Sequence, residues 1–391
     1  MTVPFDAVWP GGATRRSYTV RRADRAHHPR VAGGRSVPGR SPGGPPGLVP
    51  LRRPPPSRVP GGQPRGLSVP CPSLLTMTDE VWLPMAAETI EGLPGGFTYR
   101  FWDGGQEFPA DPADCAFYVV PYMKGAEVAV RPLAKLTSVR AVQTLTAGID
   151  HVEPGLELLR PGVQLCNARG VHEASTSELA LALTLASLRR LPDFVDAQRA
   201  GRWRTPAAFP EALADKSVLI VGYGSIGAAV EDRLTPFEPA RVSRIARSAR
   251  TTERGPVHPL DSLGELLPEA DVVVLTTPLT PATRGLVDAA FLARMRDGAL
   301  LVNVARGAVV DTGALLAELN SGRLRAALDV TDPEPLPDDH PLWHAPGVLI
   351  SPHTGGPSSA FAPRARRLIA AQLNRFAAGE PLHNVVRTTG S

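Results

Sequence analysis

From residue 77 onward, short apolar runs alternate with polar turns along the chain. Five runs rich in β-branched and aromatic residues predict strands at residues 81–85, 97–103, 115–121, 139–145 and 163–168. Runs of this kind with loops between them are typical of a parallel sheet whose strands are joined by helical crossovers. We therefore predict a parallel sheet in this part of the chain.

A second unit begins with a long predicted helix. Residues 175–190 (STSELALALTLASLRR) hold a capping residue, an early glutamate and two closing arginines. Beyond them, strands are predicted at residues 216–224, 241–246, 271–277, 299–305, 324–330 and 347–352, and helices at 226–234, 263–270, 289–295 and 312–322. This alternation is typical of a doubly wound sheet. A final amphipathic helix at 363–378 follows the last strand, and we expect it to fold back onto the first domain.

Residues 1–76 differ from the rest in composition and charge. They are rich in Pro and Gly and contain twelve arginines, no lysine and two aspartates, a net charge of +10. Such a segment buries too little apolar surface to offset the entropy of ordering it, so we predict that it is disordered. It is either a basic interaction tail or a translated upstream region, with the working start at Met77.

The remaining chain is acidic, with 30 basic and 36 acidic residues. This balance gives no electrostatic reason to expect binding to nucleic acid or to an anionic membrane. Three cysteines are too few for a disulfide framework or a zinc site, and we expect no metal. Because no apolar run reaches the ~18 residues of a membrane helix and no secretory signal is evident, we expect a cytoplasmic protein.

Three glycines in VLIVGYGSIGAAV form a G-x-G-x-x-G motif between a predicted strand and a predicted helix. Gly222 permits the tight turn, Gly224 lets the backbone approach a pyrophosphate, and Gly227 allows close packing of the helix. Ser225 and Ile226 open that helix, whose N-terminal N–H groups can bind an anion. In this context the motif predicts dinucleotide binding.

The strand after this motif should end in the acidic residue that binds the adenosine ribose of NAD. Instead, RVSRIARSAR ends with Arg247, Ser248 and Arg250 and contains no carboxylate. A carboxylate would repel a 2′-phosphate, whereas guanidinium groups bind phosphate through charge-assisted hydrogen bonds. The sequence therefore predicts NADP as the preferred cofactor, with NAD as the alternative.

Polar residues follow later strands, in the segments 301–319, 327–343 and 348–356. Ligands of open α/β sheets bind at this edge. Reduction of a keto acid needs a cation for its carboxylate and carbonyl, a proton donor for the developing alkoxide, and a group that tunes the donor. Arg306, His353 and Glu334 supply these in turn.

Taken together, these segments resemble the D-isomer-specific 2-hydroxyacid dehydrogenases over residues 81–386. The resemblance includes the order of the domains, the glycine motif, TTPLTPATRGLV at 276–287, and the NVARG, LDVTDPEPLP and PHTGG segments. Within the family, the arginine-containing second strand is most similar to that of the glyoxylate/hydroxypyruvate reductases. The resemblance implies an NAD(P)-dependent oxidoreductase that transfers a hydride between NADP(H) and a small 2-keto or 2-hydroxy acid.

The corresponding fold class is α/β, with two Rossmann-like doubly wound parallel-sheet domains and the disordered N-terminal extension. We place the extension at 1–76, the first part of the substrate domain at 77–172, the NAD(P)-binding domain at 173–352 and the C-terminal return to the substrate domain at 353–391.

The resemblance also implies a role for each catalytic candidate. Arg306 would hold the substrate carboxylate and polarise the keto oxygen. His353 would act as general acid in reduction and general base in oxidation, with Glu334 hydrogen-bonded to its other ring nitrogen. The backbone N–H groups of Ala147 and Gly148 would cap the carboxylate, so the catalytic centre would span both domains.

Further site residues follow from the same resemblance. Cofactor contacts are implied for Thr277, Pro278, Thr283, Val304, Ala305, Arg306, Asp329, His353 and Gly355, with Asp329 near the nicotinamide. Tyr122 and Met123 lie where the family's first-domain loop faces substrate, and their contact with it is left open because such loops vary. We interpret His151, His340 and His344 as structural.

Other functions remain open at this point. A nucleotide-sensing, dimeric corepressor-type binding protein can use the same fold and keep the same catalytic residues. Among enzymes, the alternatives are NAD-linked oxidation of a D-hydroxy acid such as phosphoglycerate, or oxidation of formate or phosphite. The intact catalytic set favours an enzyme over a binding protein. We expect a homodimeric reductase of glyoxylate, hydroxypyruvate or a related 2-keto acid.

Overall fold

The computed structural model describes residues 79–390, and the disorder predicted for residues 1–76 lies outside them. The described residues form two six-stranded sheets and a two-stranded hairpin. The strands are β1 Glu80–Leu83, β2 Thr98–Phe101, β3 Cys115–Val119, β4 Ala141–Gln143, β5 Gln164–Cys166, β6 Ser217–Val221, β7 Arg241–Ile245, β8 Arg250–Thr252, β9 Gly255–Val257, β10 Val272–Leu275, β11 Leu300–Asn303, β12 Arg325–Leu328, β13 Val348–Ile350 and β14 Val385–Thr388. The α-helices are α1 Gly125–Val130, α2 Glu173–Leu188, α3 Leu191–Arg199, α4 Ser225–Leu234, α5 Leu263–Leu266, α6 Ala289–Arg294, α7 Thr312–Asn320 and α8 Phe361–Ala378.

The first sheet has the strand order β14-β5-β4-β3-β1-β2. Strands β1 to β5 are parallel, which confirms the sheet predicted from the five apolar runs. Strand β14 is antiparallel to β5, with Val385 opposite Cys166. The expectation that the C-terminal helix follows the last strand is therefore wrong. An edge strand has one open side, and VVRT is too short and too exposed to give the apolar signal of a buried strand.

The second sheet has the order β13-β12-β11-β10-β6-β7, and all its strands are parallel. From β6 the chain moves outward to β7 and then returns to the other side of β6 as β10. This reversal opens a crevice between the carboxyl ends of β6 and β10, which is where open α/β sheets bind ligands. The doubly wound fold predicted from the sequence is confirmed.

Both faces of each sheet are covered by apolar clusters. In β6, Leu219 and Val221 belong to the cluster on one face, while Val218 and Ile220 belong to the cluster on the other. Because successive side chains of a strand point to opposite faces, burial on both faces requires nearly continuous apolar sequence. This requirement is the reason why the central strands could be predicted.

Helix α2 begins earlier than the sequence predicted. His172 is its N-cap residue, so Ser175 lies buried inside the first turn and does not cap the helix. The helix ends at Leu188, with Arg189 as its C-cap residue. Helix ends are poorly marked in sequence when tertiary packing, here around Ser175, decides them.

Helix α8 returns to the first sheet, as expected. Ala365, Ile369 and Leu373 recur every four residues and pack with Val81 and Phe117 of that sheet. Full burial of an isoleucine or leucine side chain stabilises the fold by about 1.5–3 kcal/mol. The helix therefore fixes the C-terminal part of the chain to the first sheet.

Two elements after β7 differ from the sequence prediction. The helix expected at 263–270 is only α5, flanked by 3-10 turns at Leu260–Ser262 and Leu267–Glu269, because Pro268 cannot donate a helical hydrogen bond. Strands β8 and β9 form an antiparallel hairpin that was not predicted, since its residues are mostly polar.

Within residues 79–390, no helix has both the length and the apolar character needed to span a membrane.

Candidate active site

A cleft lies at the carboxyl ends of strands from both sheets. Most of its lining comes from the loops after β3, β4, β11, β12 and β13. The lining residues are Tyr122, Met123, Thr146, Ala147, Gly148, His172, Thr176, Ile226, Val304, Arg306, Asp329, His353, Gly355 and Gly356.

His353 and Glu334 form a direct pair at this cleft. The distance from His353 Nδ1 to Glu334 Oε1 is 2.6 Å, which leaves Nε2 of the imidazole for another partner. The hydrogen bond from His353 lowers the pKa of Glu334, against the opposing effect of burial, so the carboxylate is ionised at neutral pH. The arrangement provides an imidazole whose protonated form faces a negative charge.

The backbone at His353 is held in an unusual conformation. Its φ angle is +53°, in the left-handed region that a non-glycine residue rarely adopts. Its N–H donates to the Asp329 carbonyl at 2.8 Å, and the buried Asp329 carboxylate accepts from the N–H groups of Thr354 and Gly355, both at 2.8 Å. The hydrogen bonds to Asp329 offset the strain and fix the loop that carries His353.

A tight turn after β11 presents Arg306 to the cleft. The buried Asn303 side chain accepts from the Ala305 N–H and donates to the Arg306 carbonyl, each at 3.0 Å. A Cβ at Gly307 would overlap the Thr331 carbonyl, so only glycine fits there. Asn303 and Gly307, the first and last residues of the NVARG segment, therefore position Arg306.

The Arg306 guanidinium has partners from both sheets. Its Nη1 donates to the Ala305 carbonyl at 2.8 Å. Its Nη2 lies 3.2 Å from Oδ1 of Asp150, which belongs to the loop after β4. The sequence predicted roles for Ala147 and Gly148 of this loop but none for Asp150.

The loop after β4 exposes its backbone donors to the cleft. Thr146 Oγ1 donates to the Gly148 carbonyl at 2.7 Å, and Asn167 Nδ2 donates to the Ala147 carbonyl at 2.9 Å. Within residues 79–390, neither the Ala147 N–H nor the Gly148 N–H donates to a protein acceptor. Two free N–H groups beside a guanidinium form a suitable environment for a carboxylate.

The glycine motif forms a turn at the crevice between β6 and β10. Gly222 has a φ angle of +104°, and a Cβ there would lie 2.5 Å from the Thr277 N atom. By contrast, a Cβ at Gly224 would meet no atom within 4 Å. A Cβ at Gly227 would lie 2.9 Å from the Gly222 carbonyl oxygen. Gly222 and Gly227 are therefore required by packing, while Gly224 borders open space in front of α4.

This space suits the pyrophosphate of a dinucleotide. The first N–H groups of α4 lack helical acceptors, and together with the helix dipole they favour an anion. Across the turn, the hydroxyl of Thr277 is buried and has no hydrogen-bond partner in the described part of the chain. The turn of Pro278 is held by Thr283, whose hydroxyl donates to the Pro278 carbonyl at 2.6 Å. An unsatisfied buried hydroxyl beside a helix N-terminus fits a polar ligand at this place.

The end of β7 is strongly basic. Arg247 and Ser248 are exposed, and Arg250 donates to the Tyr223 carbonyl of the glycine turn. Arg254, in the turn of the β8–β9 hairpin, lies 3.3 Å from the Tyr223 hydroxyl. Sequence reasoning missed Arg254 because the hairpin was not predicted.

A buried carboxylate close to this basic region already has its own partners. Glu231 of α4 is buried and accepts hydrogen bonds from Arg244 and Tyr223. Burial alone would raise the pKa of Glu231, but these hydrogen bonds outweigh burial and lower it. The charge of Glu231 is thus neutralised inside the protein by Arg244. The exposed arginines after β7 remain available to bind an external anion.

Aromatic rings form one wall of the cleft. The ring centroids of Tyr122 and Phe361 are 3.9 Å apart, and His172 stacks beside both. Burial lowers the pKa of His172, which is therefore neutral at neutral pH. Burial also raises the pKa of Tyr122 to about 12, although Arg306 opposes this effect. The rings of Tyr122 and His172 are uncharged at neutral pH and line the same cleft as Arg306 and His353.

Tyr122 and Met123 line this cleft, together with eight of the predicted site residues: Ala147, Gly148, Ile226, Val304, Arg306, Asp329, His353 and Gly355. Glu334 lies behind His353, and Arg247 makes no hydrogen bond within the described residues. His172, Thr146, Thr176 and Gly356 also line the cleft but were not predicted, because single residues of these types carry no distinctive sequence signal.

Comparisons with known proteins agree with this architecture. Residues 181–355 match the family model of the D-isomer specific 2-hydroxyacid dehydrogenase NAD binding domain. The chain is 34% identical over 250 residues to human glyoxylate reductase/hydroxypyruvate reductase, covering 63% of this chain and 76% of the relative.

Two solved structures are also similar. A D-isomer specific 2-hydroxyacid dehydrogenase from Xanthobacter autotrophicus Py2, in complex with NADPH and MES, has a TM-score of 0.67 and 31% identity, covering 79% of this chain and 98% of that one. An NADPH-dependent glyoxylate/hydroxypyruvate reductase from Sinorhizobium meliloti, in complex with NADP and sulfate, has a TM-score of 0.65 and 26% identity, covering 79% of this chain and 98% of that one.

The fold and the cleft define a two-sheet α/β oxidoreductase with a dinucleotide-binding crevice. The chain belongs to the D-isomer-specific 2-hydroxyacid dehydrogenase family. It is an NAD(P)-dependent oxidoreductase acting on 2-hydroxy acids or their 2-keto forms.

Proposed function

We propose that this enzyme reduces a small 2-keto acid, such as glyoxylate or hydroxypyruvate, to the D-hydroxy acid with NADPH. The observation that carries the proposal is the cleft in which Arg306, the free N–H groups of Ala147 and Gly148, and the His353–Glu334 pair lie together. A guanidinium and backbone donors suit a carboxylate, and a paired imidazole suits proton transfer to an adjacent oxygen.

In this proposal each side chain has a separate task. Arg306 and the N–H groups of Ala147 and Gly148 bind the substrate carboxylate, and Arg306 also stabilises the negative charge that develops on the keto oxygen. His353 donates the proton to that oxygen from Nε2, while Glu334 holds Nδ1. The bound reduced nicotinamide supplies the hydride. Tyr122 and Met123, which line the cleft, supply an uncharged wall for the rest of the substrate.

We propose NADP as the preferred cofactor. Gly222, Gly224, Ser225, Ile226 and Gly227 would hold the pyrophosphate, and Thr277, Pro278, Thr283, Val304, Ala305, Asp329 and Gly355 would border the nicotinamide half. Arg247, Ser248 and Arg250 would bind the 2′-phosphate. The exposed arginines and the occupied state of Glu231 support this choice. The similar reductase from Sinorhizobium meliloti is NADPH-dependent, which agrees with it.

A cofactor-oxidation screen tests the proposed function. Glyoxylate, hydroxypyruvate, pyruvate and phenylpyruvate would each be incubated with NADPH or NADH, and absorbance of the reduced nicotinamide would be followed. We expect activity with glyoxylate or hydroxypyruvate, and we expect it to be greater with NADPH than with NADH. If purified enzyme oxidised neither cofactor with any keto acid but bound NADPH, a cofactor-sensing binding protein would replace the proposal. Faster NAD-linked oxidation of phosphoglycerate or formate would identify another dehydrogenase.

We further propose that the enzyme is a homodimer. Trp203 and Phe209, in the segment between α3 and β6, are 97% and 99% exposed. Large aromatic side chains are enriched at protein interfaces, and exposure of two of them in one segment is unfavourable in water. Light scattering after chromatography would measure the mass of the wild type and of Trp203→Ser/Phe209→Ser. A monomeric wild type would contradict this proposal.

A further inference from the structure

Asp150 and Arg306 form an ion pair between loops of the two sheets. Asp150 follows β4 of the first sheet and Arg306 follows β11 of the second. Asp150 Oδ1 lies 3.2 Å from Arg306 Nη2, and Asp150 Oδ2 lies 3.4 Å from Arg306 Nε. The carboxylate therefore contacts the guanidinium at two points along a single edge, which defines its orientation and not only its position.

The contacts of Arg306 leave a different edge free. Asp150 takes the Nε–Nη2 edge, and the Ala305 carbonyl accepts one N–H of Nη1. A guanidinium has five N–H groups, so one N–H on Nη1 and one on Nη2 remain. The remaining N–H of Nη2 lies on the Nη1–Nη2 edge, where it can donate to a carboxylate or a keto oxygen.

The loop that carries Asp150 is shaped for this contact. A Cβ at Gly148 would overlap Arg306 Nη2 and would lie 2.7 Å from Asp150 Oδ1. Gly148 therefore permits the close approach of the carboxylate and the guanidinium. The Gly148 carbonyl is held by the Thr146 hydroxyl, which fixes the loop between β4 and Asp150.

We propose that Asp150 is a positioning residue for the reaction. By holding the Nε–Nη2 edge of Arg306, it directs the Nη1–Nη2 edge at the substrate carboxylate and keto oxygen. The inference rests on the proposed function, in which Arg306 binds the keto acid. Asp150 itself touches neither substrate nor cofactor in this arrangement.

The test compares Asp150→Asn with Glu153→Gln, which changes an exposed carboxylate three residues further along the chain, at the start of a 3-10 helix. Asparagine keeps the shape of aspartate but removes the charge that orients the guanidinium. We expect Asp150→Asn to lower kcat/KM for the keto acid by about ten- to hundredfold, since small misplacements of a binding group have effects of this size. The affinity for NADPH and the melting temperature should be unchanged, and Glu153→Gln should match the wild type.

A double-mutant cycle separates positioning from a purely structural role. In an Arg306→Ala background, Asp150→Asn should have no further effect on the residual rate, because the group it orients is absent. Oxamate, a carboxylate with an adjacent carbonyl, would be titrated calorimetrically into the NADPH-bound enzyme, and its affinity should fall with Asp150→Asn. Asp150→Ser gives the same comparison should Asp150→Asn not accumulate as folded protein.

Three results would overturn the inference. Unchanged kcat/KM and oxamate affinity would show that Asp150 does not orient Arg306. Increased values would show that Asp150 competes with the substrate for Arg306. Equal effects with and without Arg306 would show that Asp150 acts only on the fold. Failure of the proposed function is distinct, since the wild type would then reduce no keto acid in the screen.

Discussion

At the scale of single residues, His353 combines a strained backbone with a side chain that is paired to a carboxylate. Its φ of +53° is stabilised by the loop around Asp329, and its ring is 2.6 Å from Glu334. Strained backbone persists only where the surroundings determine it, and functional sites are common among such places. This backbone conformation places the His353 side chain at the cleft.

Replacement of His353 by alanine should remove the proton donor without disturbing cofactor binding. We expect kcat for keto-acid reduction to fall by roughly 10²- to 10⁴-fold, the usual contribution of a positioned general acid. His344→Ala, an exposed histidine outside the cleft, is the matched control and should leave kcat unchanged. Steady-state kinetics with saturating NADPH provide the measurement. Retention of more than about a tenth of the wild-type kcat would mean that another group donates the proton.

Glu334→Gln should change the pH dependence of the reaction. The pKa of Glu334 is lowered from its ordinary 4.5, so its carboxylate is charged at neutral pH. The contribution of this carboxylate to stability is fully present above pH 4.5 and is lost as the pH falls through the lowered pKa. Reduction requires the imidazolium form of His353, which loses its counter-charge in the variant. The pH profile of kcat/KM for reduction should therefore move to lower pH. Asp338→Asn removes the charge of an exposed carboxylate in the same segment and should not shift the pH profile. A profile shifted to higher pH would contradict the assigned pairing.

At the scale of elements, two glycines of the turn between β6 and α4 have different roles. Gly222 is required by packing, whereas Gly224 leaves space for a ligand. Gly222→Ala should lower the melting temperature of the cofactor-free enzyme, because its Cβ would lie 2.5 Å from Thr277 N at a φ of +104°. Gly224→Ala has open space, so that melting temperature should be retained while NADPH affinity falls. Thermal unfolding and fluorescence titration of NADPH would measure the two effects. Equal NADPH affinity in Gly224→Ala and the wild type would show that the pyrophosphate does not bind at this position.

The loop after β7 should set the choice of cofactor. Arg247→Ala/Arg250→Ala should erase most of a preference for NADPH over NADH, which we expect to be at least about tenfold in kcat/KM, or ~1.4 kcal/mol. Arg241→Ala at the other end of β7 is the control, since Arg241 pairs with Glu269 on the surface and such pairs contribute little. Activity with NADH should be nearly unaffected in both variants. A wild type that used NADH and NADPH equally would contradict this assignment.

At the scale of the whole molecule, the residues of both sheets and of the cleft all lie within the described residues 79–390. A protein beginning at Met77 should therefore keep the melting temperature and kcat/KM of the full chain, because a Pro/Gly/Arg-rich segment has little apolar surface to pack. Thermal unfolding and steady-state kinetics of the two proteins provide the comparison. Loss of folding on truncation would assign residues 1–76 a structural role.

The sequence by itself determined the parts of this protein that depend on local pattern. Strands buried on both faces require nearly continuous apolar runs, so the central strands of both sheets were predictable. Gly222 and Gly227 were predictable because a tight strand-to-helix turn excludes other side chains. Arg306 and His353 were predictable because each follows an apolar strand in a distinctive segment.

Only the tertiary structure decided which distant residues meet. Arg306 and Asp150 are 156 positions apart, and Arg244 reaches Glu231 because β7 passes beside α4. The edge strand β14 exists because β5 offers it unpaired backbone groups, not because VVRT is apolar. Such contacts depend on the packing of elements far apart in the chain, and no local periodicity or spacing records them.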